Sequence, residues 1–224
     1  MQESLASADV RGPRLSAGLA LALLAALCGA ILVGWLGLAV GRGVTFALDE
    51  NLRAAVHTYA SPGLTRFMRG ATDLGGVVAL TVGTLAATAA FLAARWRRAA
   101  VLLPLTMIGA AVLDLTLKAV VERPRPEPFF STPVPASFSF PSGHALDSFC
   151  FYLTLAVLVA ARVRGRGVKA ALILAALALA FLIGLSRIYL GVHWPTDVLA
   201  GYASGLVWIL AVAGADRLLR ARRG

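Results

Sequence analysis

The chain has 224 residues, of which 59% are hydrophobic and 14% are charged, and its mean hydropathy is +0.80. Soluble globular chains contain about 45–50% apolar and about 25% charged residues, so this composition excludes an ordinary soluble domain and indicates an integral membrane protein. The net charge of +10 does not indicate nucleic-acid binding, because the arginines lie at the ends of apolar segments and form no polar face. The two cysteines, Cys28 and Cys150, lie inside apolar runs and give no metal-ligand spacing.

Six segments are long and apolar enough to cross a bilayer as helices, which takes about 20 residues. They are residues 16–41, 76–94, 99–121, 145–161, 169–187 and 197–216. The first segment follows two arginines, as a secretory signal does, but its apolar run of about 25 residues exceeds the roughly 7–15 residues of a signal core. We therefore predict an all-α fold, a six-helix transmembrane bundle that forms one domain over residues 1–224.

Basic residues predict the orientation of this bundle. Thirteen of the 21 would share one side of a six-span protein: Arg11, Arg14, Arg95, Arg97, Arg98, Arg162, Arg164, Arg166, Lys169, Arg217, Arg220, Arg222 and Arg223. Positively charged loops stay in the cytoplasm, so both termini are expected there. Because 19 of the 21 basic residues are arginine, we expect a bacterial protein of the plasma membrane. The remaining eight would be extracytoplasmic, where orientation gives no reason for them: Arg42, Arg53, Arg66, Arg69, Lys118, Arg123, Arg125 and Arg187.

The first extracytoplasmic connection, residues 42–75, contains an amphipathic pattern. Its apolar residues recur at helical spacing, and its polar residues take the other side. The apolar set is Leu48, Leu52, Ala55, Val56 and Tyr59, and the polar set is Asp49, Glu50, Arg53 and His57. This pattern predicts a short interfacial helix along the membrane surface, with a structural role favoured over substrate gating.

The third connection holds six of the ten prolines between Pro124 and Pro141, so an ordered irregular loop is predicted there. Beyond this loop, the fifth connection ends in a histidine and an aspartate four residues apart, His193 and Asp197. A carboxylate at this spacing reaches the imidazole and determines which ring nitrogen carries the proton, which leaves the other nitrogen as nucleophile or base.

Each polar residue near these two connections also has an ordinary structural explanation. Lys118 fits a lysine that reaches the interface, and Asp197 fits a carboxylate favoured at a helix start. Together, however, three cations, two imidazoles, a Ser-Gly turn and a carboxylate at one membrane face suit a tetrahedral anion. The predicted site is Lys118, Arg125, Ser142, Gly143, His144, Arg187, His193 and Asp197. Arg123 is not included, and Asp114 and Asp147 are interpreted as partners in the bundle interior.

The same residues form three ordered motifs. Lys118, Arg125 and Pro126 fit K-x6-R-P, residues 141–144 read P-S-G-H, and residues 186–197 read S-R-x5-H-x3-D. This triplet resembles the signature of the type 2 phosphatidic acid phosphatase (PAP2) family, without a departure at any signature position. The motifs cover residues 118–197, and the pattern of six spans extends the resemblance over most of the chain.

The resemblance implies a metal-independent phosphatase without a cofactor. His193 would be the nucleophile that forms a phosphohistidine, Asp197 would orient it, and His144 would be the general acid and then the base. The phosphoryl oxygens would be held by Lys118, Arg125, Ser142, Gly143 and Arg187. The two histidines then begin in opposite protonation states, which predicts a bell-shaped pH dependence.

The position of the motifs at span ends predicts a lipid substrate in the outer leaflet. Phosphatidic acid, phosphatidylglycerol phosphate and undecaprenyl diphosphate all fit, because each presents a terminal phosphate at the interface. A lipid headgroup phosphotransferase remains an alternative, since an alcohol and water would use the same base. An anion transporter is less favoured because transporter sites lie near the midplane, and six spans disfavour a related vanadate-dependent peroxidase.

Overall fold

The computed structural model describes residues 17–222, which form eight α-helices and no strand within that range. The helices are α1 (Ala17–Gly41), α2 (Phe46–His57), α3 (Pro62–Asp73), α4 (Val77–Ala93), α5 (Arg97–Val121), α6 (Gly143–Ala160), α7 (Arg166–Tyr189) and α8 (Pro195–Ala221). The predicted all-α fold is confirmed over this range. The N-terminal arginines Arg11 and Arg14, and Arg223 at the other end, lie outside the described residues.

Five helices, α1, α5, α6, α7 and α8, are long and apolar enough to span a membrane. The segment predicted as the second span corresponds to α4, which has only 17 residues. It reaches the required length together with α3, from which it is bent by 48°. All six predicted segments therefore fall on helices, and the count of six spans stays a prediction that depends on this bent pair.

Helix α6 lies at the centre of the bundle, packed against α4, α5, α7 and α8, while α1 packs mainly on α8. The outer surface is apolar: Leu21, Ile31 and Ile108 are each more than 60% exposed. In water such a surface would cost about 25 cal/mol for each Å² of apolar area, whereas lipid removes that cost. The chain is thus a membrane protein.

The first connection folds into two helices instead of the one predicted. The unpredicted helix, α3, begins at Pro62 after the N-cap residue Ser61, whose hydroxyl accepts a hydrogen bond from the Leu64 amide at 3.3 Å. Serine at the N-cap followed by proline is a common helix start. It escaped the prediction because α3 carries Thr65, Arg66 and Arg69 and has no long apolar run.

The predicted amphipathic helix exists as α2, and its two faces are clearly separated. Asp49 and Arg53 are buried against the protein, whereas Leu48 and Leu52 are exposed. The polar face therefore turns inward and supports the bundle, as a structural role requires. Its position along the membrane surface stays a prediction.

Two glycines allow the loops at one end of the bundle to pack closely. A Cβ on Gly201 of α8 would lie 2.7 Å from the Ser142 carbonyl oxygen, so only glycine lets the start of α6 approach α8 this closely. Gly191 has φ +74°, and a Cβ there would lie 2.6 Å from the Phe129 amide nitrogen. The proline-rich loop therefore packs closely against the connection between α7 and α8 and the start of α8.

Candidate active site

The predicted site residues lie at one end of the bundle because of the direction of four helices. Helices α5 and α7 end there, and they contribute Lys118 and Arg187 from their last turns. Helices α6 and α8 begin there, and they contribute His144 and Asp197 from their first turns. Basic side chains at helix C-termini and a carboxylate at an N-terminus are also favoured by the helix dipole.

Electrostatic contacts show that these segments converge around His144. The charges that act on this imidazole come from Arg187, His193, Arg125 and Lys118. They belong to the ends of two helices and to two connections, and all are among the residues predicted for the site. The sequence motifs therefore meet in space, with the two imidazoles on neighbouring elements.

His193 lies in the connection between α7 and α8 and is only 2% exposed. Its Nδ1 is 3.4 Å from Asp197 Oδ2 and 3.4 Å from Ser139 Oγ, and its Nε2 is 2.9 Å from Arg125 Nη1. A guanidinium only donates, so Nε2 carries the lone pair and the proton resides on Nδ1, facing Asp197. Burial lowers the pKa of His193 to about 4, although Asp197 opposes the shift. The imidazole is therefore neutral at pH 7.

We expect an NMR titration of the histidine ring nitrogens to show this low pKa directly. Because the pKa of His193 lies below its ordinary value of 6.5, the ring gains a proton only when the pH falls towards 4. It should stay neutral from pH 8 down to about pH 5. The chain has three histidines, so loss of one signal in His193→Asn assigns the resonance. A transition at pH 6.5 or above would contradict this environment.

The Asp197 carboxylate is fully buried and fixed by several donors. Its Oδ2 accepts hydrogen bonds from the Trp194 amide at 2.9 Å and from the Ser139 hydroxyl, while Oδ1 accepts one from Arg123 Nη1 at 2.7 Å. The bond to the Trp194 amide satisfies one of the free N–H groups at the start of α8. Asp197 therefore caps the first turn of α8 and also faces His193.

Arg123, which the prediction left out, lies in contact with the predicted site. Its guanidinium binds Asp197 through Nη1 and Asp49 through Nη2, the latter at 2.6 Å. Asp49 in turn accepts hydrogen bonds from the amide and hydroxyl of Thr196, at 2.9 and 2.7 Å. The only sign in the sequence was that Arg123 is a cation on the side where the orientation rule gives no reason for one.

Lys118 is held by an aspartate one helical turn away. Its ammonium group forms an ion pair with Asp114 and donates a hydrogen bond to the Pro141 carbonyl at 2.7 Å. The interpretation of Asp114 as an interior partner fits this pair. Asp147 differs, since its buried Oδ1 has no hydrogen-bond partner within residues 17–222.

Two of the predicted site residues have a buried polar atom without a protein partner in the described part of the chain, namely Arg187 at Nε and Ser142 at Oγ. Arg187 is 6% exposed and uses Nη1 to bind the Thr72 hydroxyl at 2.8 Å. Ser142 is the N-cap residue of α6, yet its hydroxyl makes no capping bond. Leaving such groups unsatisfied costs about 1–3 kcal/mol each, and their presence in a cluster of cations is typical of an anion site.

Gly143 opens α6 between these groups. A Cβ there would lie 3.1 Å from Asp114 Oδ2, so a larger residue would crowd the carboxylate that pairs with Lys118. With no side chain at this position, the free amides of the first turn of α6 stay accessible to an anion.

Arg125 makes more protein contacts than the resemblance alone implies. It donates to the carbonyls of Ser137, Val192 and Phe138, at 2.8, 3.0 and 3.2 Å, besides its contact with His193. This guanidinium therefore fixes the proline-rich loop and lies directly beside the His193 ring nitrogen that faces away from Asp197.

The arrangement combines a neutral imidazole oriented by a carboxylate, a second imidazole, and three cations, of which Lys118 and Arg187 still have unused donors. Phosphoryl transfer needs mainly positioning and neutralisation of charge on the equatorial oxygens. In a bundle of membrane-spanning helices, this fold and this geometry define a membrane-embedded phosphatase.

Comparisons with known proteins agree with that class. The family model of the PAP2 superfamily matches residues 99–218. Phosphatidylglycerophosphatase B of Bacillus subtilis is 33% identical over 190 residues, covering 83% of this chain and 91% of that protein. Undecaprenyl-diphosphatase of Sulfolobus acidocaldarius is 35% identical over 120 residues, covering 51% and 53%. The chain belongs to the PAP2 superfamily.

A solved structure supports the same assignment. The crystal structure of the transmembrane PAP2-type phosphatidylglycerolphosphate phosphatase from Bacillus subtilis superposes with a TM-score of 0.80 at 30% sequence identity. The match covers 86% of this chain and 96% of that one.

Proposed function

We propose that this enzyme removes the terminal phosphate from a membrane lipid phosphate or diphosphate, without a metal ion, through a phosphohistidine on His193. The observation that carries the proposal is the environment of His193: a buried neutral imidazole with Nδ1 towards Asp197 and Nε2 beside Arg125. An oriented, unprotonated ring nitrogen next to a cation is suited to attack a phosphoryl group whose charge that cation reduces.

In the first step, Arg125 gives up its hydrogen bond to Nε2 of His193, and the freed lone pair forms a bond to phosphorus while the bond from phosphorus to the leaving oxygen breaks. The imidazole keeps its proton on Nδ1, so the phosphorylated ring becomes positively charged and is stabilised by Asp197. The leaving oxygen takes a proton from His144. The phosphoryl oxygens lie against Lys118 and Arg187, which offset their negative charge.

In the second step, water replaces the imidazole. His144, which has lost its proton, takes one from the attacking water, so the new bond from oxygen to phosphorus forms as the bond to Nε2 breaks. Inorganic phosphate leaves, and His193 returns to the neutral form with its proton on Nδ1. Positive charges surround His144, so the negative charge of a bound phosphate is what favours its protonated form, which couples the acid to the substrate.

The location of basic residues supports an extracytoplasmic site. The turns at the opposite end of the bundle, residues 94–97 and 161–166, carry arginines, as does the end of α8. Under the positive-inside rule, that end faces the cytoplasm and the site faces outward.

An apolar groove between α4 and α5 supports a lipid as the substrate. It has a volume of about 370 Å³ and is lined by side chains such as Val77, Leu80 and Ile108. The groove reaches Asp147, one turn along α6 from His144. A hydrocarbon tail in this groove would place an attached phosphate at the polar end of the bundle.

We expect phosphate release by the purified protein in excess chelator, with vanadate as an inhibitor. The test panel contains phosphatidic acid, phosphatidylglycerol phosphate and undecaprenyl diphosphate, because the relatives named above act on the last two kinds of lipid by name. Cations and helix-start amides replace a metal in this mechanism, so chelation should change the rate less than twofold, about 0.4 kcal/mol of barrier.

Activity that chelator abolishes and added metal restores would contradict the metal-independent mechanism. Product analysis in the presence of a lipid alcohol separates hydrolysis from headgroup transfer, since transfer yields a new phospholipid and no inorganic phosphate. Phosphate release from none of the lipids would contradict the proposed substrate class.

A further inference from the structure

A buried chain of charges runs from α2 to His193. It consists of Asp49, Arg123 and Asp197, here called the supporting network. The Arg123 guanidinium binds Asp49 at 2.6 Å with one nitrogen and Asp197 at 2.7 Å with another. Asp197 then faces Nδ1 of His193 at 3.4 Å.

The supporting network is almost completely shielded from solvent. Both carboxylates are 0% exposed and Arg123 is 7% exposed. Every carboxylate oxygen has a donor: the Thr196 amide and hydroxyl serve Asp49, and the Trp194 amide serves Asp197. Buried charges persist only when they are paired and hydrogen-bonded in this way, and such pairs act at low dielectric, where a change of one charge has a large effect.

The charges of the supporting network sum to minus one, because two carboxylates share one guanidinium. When His193 attacks phosphorus, its ring gains one positive charge. The sum for the network and the ring is then zero, so the network is complementary to the phosphorylated state and not to the resting one. Interactions that strengthen as the reaction proceeds accelerate it.

We propose that Asp49 and Arg123 are positioning residues that hold Asp197 against His193 and match the charge of its surroundings to the phosphohistidine. The inference rests on the proposed function, because it assigns these residues a role through His193. It also makes α2, which lies in the first connection, part of the apparatus that supports catalysis.

Substitutions in the supporting network should change the titration of His193 in a way that depends on charge. This ring is faced by Asp197, Arg125, Arg187 and His144. Arg123→Gln removes a positive charge beside Asp197, so the protonated ring is favoured and the NMR transition of His193 should rise by about one pH unit or more.

Asp49→Asn removes a negative charge, so it should not raise the pH of the His193 transition. The double variant, with Arg123→Gln and Asp49→Asn together, restores a sum of minus one and should return the transition towards that of the unmodified protein. Arg123→Lys keeps the charge and should leave the transition in place. Loss of packing alone would not produce this pattern, and the position of a transition does not depend on the folded fraction.

Both single variants should lower kcat by about 10–100-fold, the range found when a residue that orients a metal-binding side chain through a hydrogen bond is replaced. The rate is expressed per active site, counted from the phosphoenzyme trapped by rapid acid-free quenching. The matched control is Asp216→Asn, which breaks an ion pair with Arg98 that joins α5 to α8 at the far end of the bundle. It should change neither kcat nor the His193 transition.

Two results distinguish a failure of the positioning role from a failure of the proposed function. If His193→Ala retains full activity, the proposed function fails and the inference with it. If His193→Ala is inactive but Arg123→Gln leaves the His193 transition and kcat unchanged, only the positioning role is overturned. Equal shifts in the two single variants would also overturn it, since the charge argument requires them to differ.

Discussion

Replacing His193 by alanine is expected to lower the rate of phosphate release from a lipid phosphate by at least about 1,000-fold, equivalent to roughly 4 kcal/mol of barrier. The reason is that His193 supplies the attacking nitrogen in the proposed mechanism. The measurement is a steady-state assay of inorganic phosphate in detergent micelles or vesicles. Trapped phosphoenzyme should also disappear, because the covalent bond forms on this ring.

The matched control is His57→Ala, which alters the histidine that stacks on Phe129 at a ring distance of 3.9 Å in the first connection. This variant should keep its phosphoenzyme, since its imidazole does not take part in the proposed steps. If His193→Ala still forms phosphoenzyme on another side chain, the assignment of the nucleophile is wrong even if the enzyme remains a phosphatase.

Replacing His144 by alanine is expected to reduce activity by about 100–10,000-fold on a lipid alkyl phosphate, the range typical of a lost general acid. Because His144 is also the proposed base for the attacking water, the two substrates are compared in the first step, the formation of phosphoenzyme in a single turnover. In that step the reduction should be much smaller on an aryl phosphate with an acidic leaving group, such as p-nitrophenyl phosphate. An alkoxide needs a proton as it departs, whereas a nitrophenolate does not. The ratio of the two substrates therefore isolates proton donation from the binding of phosphate.

Arg187→Ala provides the comparison for that experiment. This guanidinium is buried, with an unused Nε, and is assigned to the phosphoryl oxygens, which both substrates share. Its loss should reduce the two activities by similar factors. An equal loss in phosphoenzyme formation on both substrates in His144→Ala would mean that His144 binds the phosphate and is not the acid.

The helices and the three motifs were predictable because both are local patterns. Apolar runs predicted where α5 and α7 lie, and the order Lys118, His144, His193 identified the family before any contact was known. The break between α3 and α4 was not predictable in the same way. Helix α3 is short and polar for a membrane segment, packs against α7 and is bent by 48° from α4.

The partners of the supporting network could not be inferred from spacing. Arg123 is 74 residues from Asp49 and 74 residues from Asp197, so neither contact leaves a periodic trace. The sequence showed cations on the predicted extracytoplasmic side that orientation does not explain, but not which of them turns inward in a loop rich in proline. Similarly, α2 was predicted from its amphipathic pattern. The burial of its polar face could not be predicted, because it depends on contacts with segments distant in the sequence.

The position of Asp197 also affects how inactive relatives of this enzyme should be recognised. Its carboxylate satisfies the Trp194 amide at the first turn of α8, so selection for folding alone retains an acidic or amide side chain there. His193 has no such duty at a helix start. In a relative that has lost its catalytic activity, we expect the histidine to be substituted before the aspartate. The histidine is therefore the more informative marker of an active enzyme.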